Sequence, residues 1–577
     1  MAKNQEISAI FDSMAAMMEL LNEDPFRINS YRNAARALAD LGQDIEQIIA
    51  GGWKPKIGGI GTSMAAKIEE YCRTGHMAKY DELRAKLPEH LPELLRLGGL
   101  GPKTVAKLWH EAGITSIEEL RQCLETCPDR IVAIKGMGEK KVQQMAEALA
   151  FVQTAGGRTR LGDVATVVGR FVEQISRCKG ASRVTAAGSY RRGRETVGDI
   201  DLLCIASKAD APGIIEQFAA SPLVGRVLAR GDTKGSVLLR GELQADLRVV
   251  DKGSFGAALV YFTGSKAHNI VLRSRAIERG LKLNEYGLFR GEESVGGDSE
   301  EAIYAALGLP WIAPELREDR GEVAAAEAGA LPALVELADI RGDFHMHTTA
   351  SDGVHDLREM VAACRRLGYR AMAVCDHSKG QVIAHGLDED RLREQVRQVR
   401  ELAGEYKDML VLAGCEVDIG RDGRLDFDDD VLAELDFVMA SPHSALGSHG
   451  GEATERIIQA IEHPLVNCIG HPTGRVINSR PGMEMDMGAI CEAAAARGVA
   501  LEINADFARL DLRDNDVRTA VTKGTKLMIN TDAHSTDNLQ AMMPYGVLTA
   551  RRGWATKADV VNTWPAKRVK EWLNKGR

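Results

Sequence analysis

No apolar stretch of the 577-residue chain approaches the roughly 20 residues that a bilayer-spanning helix needs, so a transmembrane role is not expected. Met1 to Asp12 hold no basic segment leading into an apolar run, so no secretory leader is expected either. The ten cysteines stand at 72, 123, 127, 178, 204, 364, 375, 415, 468 and 491, without a single C-x-x-C pair. That spacing argues against a thiolate zinc site and a disulfide framework, and predicts reduced thiols in a cytoplasmic protein. Low-complexity tracts are missing as well. What remains is an ordinary globular composition, 45% hydrophobic and 27% charged. The length suggests about three to five domains.

Charge and histidine are unevenly placed. The net charge of −9 hides a first part, residues 1–300, with 41 Lys and Arg against 38 Asp and Glu. Residues 301–577 hold 32 against 44, and the segment 51–200 holds 24 against 17. A basic part suited to phosphates is thus joined to an acidic part suited to cations. Ten of the fourteen histidines lie between His345 and His534. Two functions on one chain is the reading these asymmetries favour.

Apolar residues at helical spacing predict short helices over Ile7–Leu21, Ser30–Leu41, Met64–Thr74, Tyr80–Leu87 and Val142–Thr154. Short β-prone runs follow at Val184–Ala187, Ile200–Ile205, Ser236–Leu239 and Gln244–Val250. Beyond an Ala/Glu-rich stretch at 313–338, strands such as Ala371–Cys375, Leu410–Ala413, Phe437–Ala440 and Val499–Ile503 alternate with helical segments. Such alternation implies parallel β-structure, most simply closed into a barrel.

Three segments share one local pattern: Ile57-Gly-Gly-Ile-Gly-Thr, Leu97-Gly-Gly-Leu-Gly-Pro-Lys and Ile134-Lys-Gly-Met-Gly-Glu-Lys. Glycine permits the tight turn and lets backbone approach a phosphate, whose charge the following helix N-terminus favours. A lone turn of this kind often merely ends a helix. Three in series, with Lys103, Lys107, Lys135, Lys140 and Lys141 beside them, resemble helix-hairpin-helix elements that grip a DNA backbone. Gly59, Gly61, Gly99, Gly101, Lys103 and Lys107 are the expected contacts.

In Gly198-Asp-Ile-Asp201, a strand would turn both acids, Asp199 and Asp201, to one side. Asp246, in Gln244-Ala-Asp-Leu-Arg, could complete a trio from a second strand. Such a cluster repels itself and needs divalent cations, which in turn can hold a triphosphate and activate a hydroxyl. The turn Gly188-Ser-Tyr-Arg-Arg-Gly193 supplies backbone N–H groups and positive charge for phosphate oxygens. An acidic pair capping a helix is the plainer reading, and for D-x-D alone it would win.

Together with Tyr261-Phe-Thr-Gly-Ser265, these motifs resemble the family X DNA polymerases, gap-filling enzymes of the nucleotidyltransferase fold. The resemblance covers about residues 1–312. It implies that Asp199 and Asp201 bind two Mg²⁺ (or Mn²⁺) ions, and that Asp246 binds the catalytic one and accepts the primer hydroxyl proton. Gly188, Ser189, Arg192 and Gly193 would hold the triphosphate, Tyr261 and Gly264 would line the sugar, and Asn269 and Arg273 would meet the nascent pair. Gln244 stands where the vertebrate repair member has an arginine. The resemblance further implies an abasic-site lyase, with Lys67 of Gly61-Thr-Ser-Met-Ala-Ala-Lys67 as Schiff-base nucleophile. Ser63 and Arg27 replace family lysines of the 5′-phosphate pocket, and a plain phosphate contact by Lys67 is an equal alternative.

The last part opens with Asp343-Phe-His345-Met-His347 and continues with Asp352, Asp376-His377, Glu416, His443, His471 and Asp532-Ala-His534. Each is expected after a strand, where barrel enzymes keep their chemistry. Nine nitrogen and oxygen ligands suit Mn²⁺, Zn²⁺ or Fe²⁺ and exceed the needs of one ion. The set resembles the PHP (polymerase and histidinol phosphatase) domain over about 341–577. That resemblance implies three metals: one on His345, His347, Glu416 and Asp532, one on Glu416, His443 and His471, and one on Asp352, His377 and His534. Arg475 and Arg509 are either phosphate clamps or structural ion pairs. His355, His385, His449 and His463 match no ligand position.

The expected chain is therefore multidomain. It has a helix-hairpin-helix end-binding domain (1–90), a second helix-hairpin-helix subdomain (91–155), an α/β nucleotidyltransferase palm (156–250) and a nucleotide-selecting thumb (251–312). A linker (313–340) and a distorted (β/α) PHP barrel (341–577) complete it. The expected function is DNA-directed gap filling in base excision repair, joined to a metal-dependent 3′–5′ exonuclease or 3′-end-processing phosphodiesterase. Expected partners are gapped or nicked DNA bearing a 5′-phosphate and deoxynucleoside triphosphates. No membrane is expected, and the protein should be a monomer of the nucleoid-associated cytoplasm. A small-molecule phosphatase and a non-catalytic scaffold at DNA breaks are the alternatives. DNA-binding hairpins argue against the first, and complete ligand sets argue against the second.

Overall fold

The computed structural model describes the chain apart from residues 1, 22, 40–44, 51–59, 89, 97–99, 139–140, 143–144, 147–148, 150–157, 241–242, 447–449, 479, 481 and 575–577. It resolves into two compact units that do not follow chain order: Met1–Arg158 with Val250–Trp311, and Thr159–Val249 with Ile312–Arg577.

In the first unit, helices Ala2–Leu20, Pro25–Ala39, Thr62–Thr74, Ala78–Ala85, Pro102–Ala112 and Ile117–Thr126 pack around one apolar core. Phe11, Met14, Met18, Tyr31, Leu38, Ile68, Val105 and Leu120 are all buried there. Gly61 and Gly101 stand at the N-caps of the Thr62 and Pro102 helices, in extended backbone. The helix expected over Val142–Thr154 lies largely outside the described residues, as do Gly59, Gly99, Lys140 and His449. The same unit holds helices Phe255–Thr263 and Lys266–Glu278, followed by a small antiparallel sheet of Lys282–Asn284, Gly287–Arg290 and Glu293–Gly296. Those three strands carry no alternating apolar run long enough to be expected from sequence.

The second unit begins with a five-stranded sheet in the order Arg183–Ala186, Asp199–Ile205, Gln244–Val250, Lys234–Leu239, Val224–Arg230. Helices Leu161–Ser176 and Ala211–Ala219 cover it, and Phe171 meets Phe218 at 5.1 Å between ring centroids. Val224–Arg230 escapes a sequence reading because it is an edge strand, exposed along nearly its whole length.

Seven parallel strands follow, paired in chain order: Gly342–Asp343, Ala371–Val374, Leu410–Asp418, Phe437–Ser441, Cys468–Ile469, Ala500–Asn504 and Leu527–Asn530. A parallel bridge between Met346 and Ala533 joins the two edges, so the sheet closes on itself. Period-two alternation decides which side chain goes where. Met372, Val374, Val411, Ala413, Val438, Leu501 and Ile529 pack outward against helices Leu357–Arg366, Glu389–Ala403, Gly451–Glu462 and Met487–Arg497. Ala371, Ala373, Leu412, Phe437, Met439, Cys468, Ala500 and Met528 form a separate inner core with Trp564 and Leu573 of the C-terminal segment. The inward register continues along the strands to Glu416, Asp418, Glu502 and Asn530. Apolar at one end and polar at the other, the barrel interior prepares a site at the C-terminal ends of its strands.

The 313–340 stretch, expected as a linker, is packed structure. It forms turns at Pro314–Leu316 and Leu337–Asp339 and a helix at Glu322–Glu327. Arg317 is fully buried, its Nε donating to the Ile312 carbonyl at 2.9 Å. Sheet and barrel also meet directly. A Cβ on Gly162 would fall 2.2 Å from the Phe507 ring, Tyr545 and Leu548 join the core beneath the sheet, and Arg475 pairs with Glu195 at 2.6 Å.

Two candidate metal centres

The first candidate centre lies on the five-stranded sheet. Asp199 and Asp201 share one face of their strand, and Asp246 stands on the neighbouring strand. Burial, with Asp199 and Asp246 alongside, pushes the Asp201 carboxyl up to about 7, while Arg248 and Arg192 pull it down. A carboxyl so disfavoured as an anion is what a divalent cation would relieve, although the ligand atoms of the three acids do not gather around one point as those of the barrel groups do. Asp246 accepts a hydrogen bond from Gln244 Nε2 at 2.8 Å and another from Ser236 Oγ. Gln244 thus touches this carboxylate as a neutral donor.

The Gly188 turn is built for close approach. Gly188 has φ +60°, and a Cβ there would meet Asp201 Oδ2 at 2.5 Å. Ser189 Oγ is buried with no hydrogen-bond partner among the described residues. Arg192 Nε donates to Glu318 Oε1 at 3.1 Å, a partner the sequence did not suggest. In the other unit, Asn269 Nδ2 donates to the Tyr261 carbonyl at 2.7 Å, and Gly264 has φ +68°. Tyr261 is exposed.

Among the described residues, a Cβ on Gly61 or Gly101 would meet nothing within 4 Å. Lys103 is exposed. Lys107 Nζ instead donates to the Lys135 carbonyl of the third glycine turn, tying the two hairpins together. Lys67 Nζ donates to Ser63 Oγ at 2.9 Å and to the Ser63 carbonyl at 3.0 Å. Burial and the nearby Arg27 charge hold the Lys67 ammonium below its ordinary range.

At the barrel mouth, Glu416 is fully buried at the centre of the histidines. Its carboxylate lies 2.8 Å from His377 Nδ1 and His471 Nε2, 3.4 Å from His345 Nε2 and His443 Nε2, and 3.7 Å from His347 Nε2. Asp532 Oδ1 lies 3.0 Å from His347 Nε2 and 3.5 Å from His345 Nε2. Asp352 Oδ2 lies 3.4 Å from His534 Nε2 and 3.6 Å from His377 Nε2. All nine expected side chains therefore converge. Three groups have ligand atoms within reach of a common ion: His347, Asp352, His377 and His534; His345, His347 and Asp532; and His377, Glu416 and His443. These groups are not the three that the resemblance implies: His347 and His377 each fall in two, Glu416 falls only with His377 and His443, and His471 falls in none.

Glu416 sits within its strand rather than beyond the strand end. His345 and His347 straddle Met346, the residue that closes the barrel.

The donor set fits metal ions. Among the described residues, His345 Nε2, His347 Nδ1, His471 Nδ1 and Glu416 Oε2 are buried without a hydrogen-bond partner. Burial opposes the charge on Glu416, yet His443, His345 and His377 hold its carboxyl well below the usual carboxylate range. Burial likewise opposes charge on His377, which Glu416 and Asp352 nevertheless lift to about 10.

A supporting layer was not foreseen. Glu502 Oε1 lies 2.8 Å from His345 Nδ1, and its Oε2 accepts from the His471 backbone N–H at 2.7 Å. Asp418 holds His443 Nδ1, and Asn504 Nδ2 donates to Asp532 Oδ2 at 3.0 Å. Such partners orient ligands and set the histidine tautomers. Their signal was present in the i, i+2 spacing of Glu416 with Asp418 and of Glu502 with Asn504. Arg475 donates to Glu195 and to the Leu510 carbonyl, whereas Arg509 Nε stands 3.7 Å from Asp532 Oδ2 at the site.

Comparison with known proteins agrees with this geometry. Family models match for a helix-hairpin-helix domain (2–77), a SAM-like helix-hairpin-helix tandem (91–150), a DNA polymerase beta palm (158–252), a DNA polymerase beta thumb (258–318) and a PHP domain (343–506). Fold and sites together define a beta-type polymerase palm and thumb carried on one chain with a PHP barrel. The chain belongs to the bacterial family X DNA polymerases that carry a C-terminal PHP domain. It is 38% identical over 576 residues, 99% of both chains, to the DNA polymerase/3′-5′ exonuclease PolX of Bacillus subtilis (strain 168). It is 24% identical to DNA polymerase lambda of Rattus norvegicus over 51% of this chain and 53% of that one. A probable phosphatase of Shewanella sp. (strain MR-4) is 30% identical over 33% of this chain and 75% of its own. No helix among the described residues is long and apolar enough to cross a membrane.

Proposed function

We propose that the protein is a DNA-directed DNA polymerase that fills short gaps in base excision repair, and that its barrel is a metal-dependent 3′–5′ exonuclease or 3′-end-processing phosphodiesterase. The observation that carries this reading is the histidine and carboxylate cluster at the barrel mouth, together with three palm carboxylates on neighbouring strands, in a chain related end to end to a polymerase and exonuclease.

In the palm, Asp199, Asp201 and Asp246 would hold two Mg²⁺ or Mn²⁺ ions, which when bound stabilise charge on a triphosphate. Asp246, which accepts hydrogen bonds from Gln244 and Ser236, would accept the primer hydroxyl proton. The buried Ser189 hydroxyl and the Gly188 turn would take phosphate oxygens, with Arg192 beside them. Gly193 closes that turn, Tyr261 and Gly264 would meet the sugar, and Asn269 and Arg273 the nascent pair. In the barrel, up to three Mn²⁺, Zn²⁺ or Fe²⁺ ions would sit among His345, His347, Asp352, His377, Glu416, His443, His471, Asp532 and His534. Glu502 and Asp418 would keep the ligand tautomers fixed. Gly59, Gly61, Gly99, Gly101 and Lys103 would line the DNA backbone. Lys107 would act from within the hairpin scaffold, and Lys67 would serve as lyase nucleophile. A monomer acting on gapped DNA with a 5′-phosphate, in the nucleoid-associated cytoplasm, completes the proposal. The domain limits proposed are 1–90, 91–155, 156–250, 251–312 and 341–577, with 313–340 as packed structure rather than a linker.

One assay tests both activities: a 5′-labelled primer on a gapped duplex, with and without nucleotides, in Mg²⁺ and in Mn²⁺. Extension with nucleotides and shortening without them are expected. Absence of either removes that half of the reading.

A further inference from the structure

Arg192 belongs to the nucleotide turn, yet its partners come from far along the chain. Its Nε donates to Glu318 Oε1 at 3.1 Å, and Glu318 lies in the packed 313–340 segment. The same carboxylate oxygen lies 3.0 Å from Arg552 and 3.9 Å from Arg194. Arg552 also donates to the Arg192 backbone carbonyl at 2.7 Å, and its far edge pairs with Asp514 at 2.7 Å. Arg320 reaches that Asp514 carboxylate at 3.1 Å. The Arg552 side chain is only 2% exposed and that of Glu318 11%.

Arg552 ends the helix Thr536–Arg552, which begins two residues after His534 of the barrel centre. At 1.5 Å per residue the helix is about 25 Å long. One barrel helix thus has a metal-centre ligand next to its start, while its last side chain grips both the backbone of the nucleotide turn and the acid that holds Arg192.

We propose that Glu318 and Arg552 are positioning residues for nucleotide addition: the segment after the thumb and the barrel together fix the Arg192 guanidinium and its turn for the incoming triphosphate. This rests on the reading that Arg192 meets the triphosphate. The physical reason is the geometry of the guanidinium, which is planar and long-stemmed and must be oriented before its fork can match phosphate oxygens. A buried carboxylate bonded to one edge provides that orientation. Because Glu318 is itself shared among three guanidinium groups, their mutual repulsion is offset and the arginines stay in place. Arg552 then links the turn to the barrel, so the nucleotide site is incomplete in a palm that lacks its C-terminal neighbours.

The test uses the full-length protein and four variants: Arg192→Ala, Glu318→Gln, their double combination, and Arg552→Lys. Nucleotide addition on a one-nucleotide gap in Mg²⁺ gives KM and kcat. Hydrolysis of bis(p-nitrophenyl) phosphate in Mn²⁺ and the melting temperature report on the barrel and the fold. Glu318→Gln should raise the nucleotide KM about fivefold to tenfold with little change in kcat, and Arg552→Lys should do the same, since an ammonium cannot span three partners. The double variant should match Arg192→Ala alone, because Glu318 acts through Arg192. Diester hydrolysis should not move. If Arg192→Ala leaves KM unchanged, the reading of Arg192 as a triphosphate contact fails. If Arg192→Ala raises KM while Glu318→Gln does not, or if their effects multiply, the positioning role fails on its own. A Glu318→Gln protein that melts early hands the decision to Arg552→Lys, where an unchanged KM overturns the proposal.

Discussion

Glu502→Gln is the sharpest perturbation of the barrel, because it alters no expected metal ligand and almost no volume. Glu502 is buried; its Oε1 lies 2.8 Å from His345 Nδ1 and accepts from Asn530 Nδ2 at 3.0 Å, and its Oε2 accepts from the His471 backbone N–H at 2.7 Å and from Asn504 Nδ2 at 3.4 Å. With the carboxylate in place, all four neighbours donate, and His345 turns Nε2 toward Glu416 and Asp532 at 3.4 and 3.5 Å. A glutamine has one acceptor and one donor end. Either His345 takes the other tautomer and loses its ligand nitrogen, or a buried backbone donor goes unsatisfied, at a cost of about 1–3 kcal/mol. Removing a partner of this kind lowers metal affinity by about 10–100-fold, or about 1.4–2.7 kcal/mol. Calorimetric titration of Mn²⁺ into chelator-treated protein should show that loss, and primer shortening should fall with it. Nucleotide addition in Mg²⁺ should be unchanged and serves as the internal control. Wild-type Mn²⁺ affinity in a folded Glu502→Gln protein would refute the argument that this carboxylate sets the His345 tautomer.

Asp199→Ala with Asp201→Ala should cut nucleotide addition by orders of magnitude while Mn²⁺-dependent primer shortening persists, and His345→Ala with His347→Ala should do the reverse; loss of both activities in either folded double variant would contradict two independent centres. Lys67→Ala should abolish the borohydride-trapped adduct with an abasic site and leave gap filling intact, and an adduct that survives would remove Lys67 as nucleophile. Because burial and Arg27 lower the Lys67 pKa, trapping by the wild type should rise through a midpoint below that of an ordinary lysine. Burial, only partly countered by Arg513, pushes the Asp516 carboxyl up to about 6, so its ionisation costs the fold stability as pH rises from near 4, and the cost is complete above about 6. Asp516→Asn should therefore gain up to about 3 kcal/mol at about pH 8 and nothing at about pH 3.5, where both states hold the proton, as urea titrations would show.

Much of the site could be read from the chain because the chemistry-bearing residues lie in short local motifs. Asp199 and Asp201 share a strand face, and the nine candidate ligands of the barrel fall near strand ends where period-two alternation runs inward. Less visible was whatever depends on contacts distant in sequence. Glu502 looks like any strand acid until its strand is set beside His345. Glu318 sits in a segment whose Ala- and Glu-rich composition reads as a connector, and only the burial of Arg317 and the reach of Arg552 show it to be interior structure. The edge strand Val224–Arg230 was missed for the opposite reason, since exposure leaves its pattern no apolar face to report.

The division of the chain into compact units carries a lesson for anyone wishing to recombine these proteins. Sequence similarity offers cutting points after the thumb, as if polymerase and barrel were interchangeable cassettes. The fold instead counts the palm and the barrel as one unit, interrupted by the thumb as an insertion. A cut near residue 312 would strip Glu318 and Arg552 from the nucleotide turn and uncover the face where Gly162 admits the Phe507 ring. A foreign barrel would be accepted only if it brought an aromatic to that notch and a cation opposite Glu195. The two catalytic centres should therefore be inherited together, with exchange confined to the helical domains and the thumb.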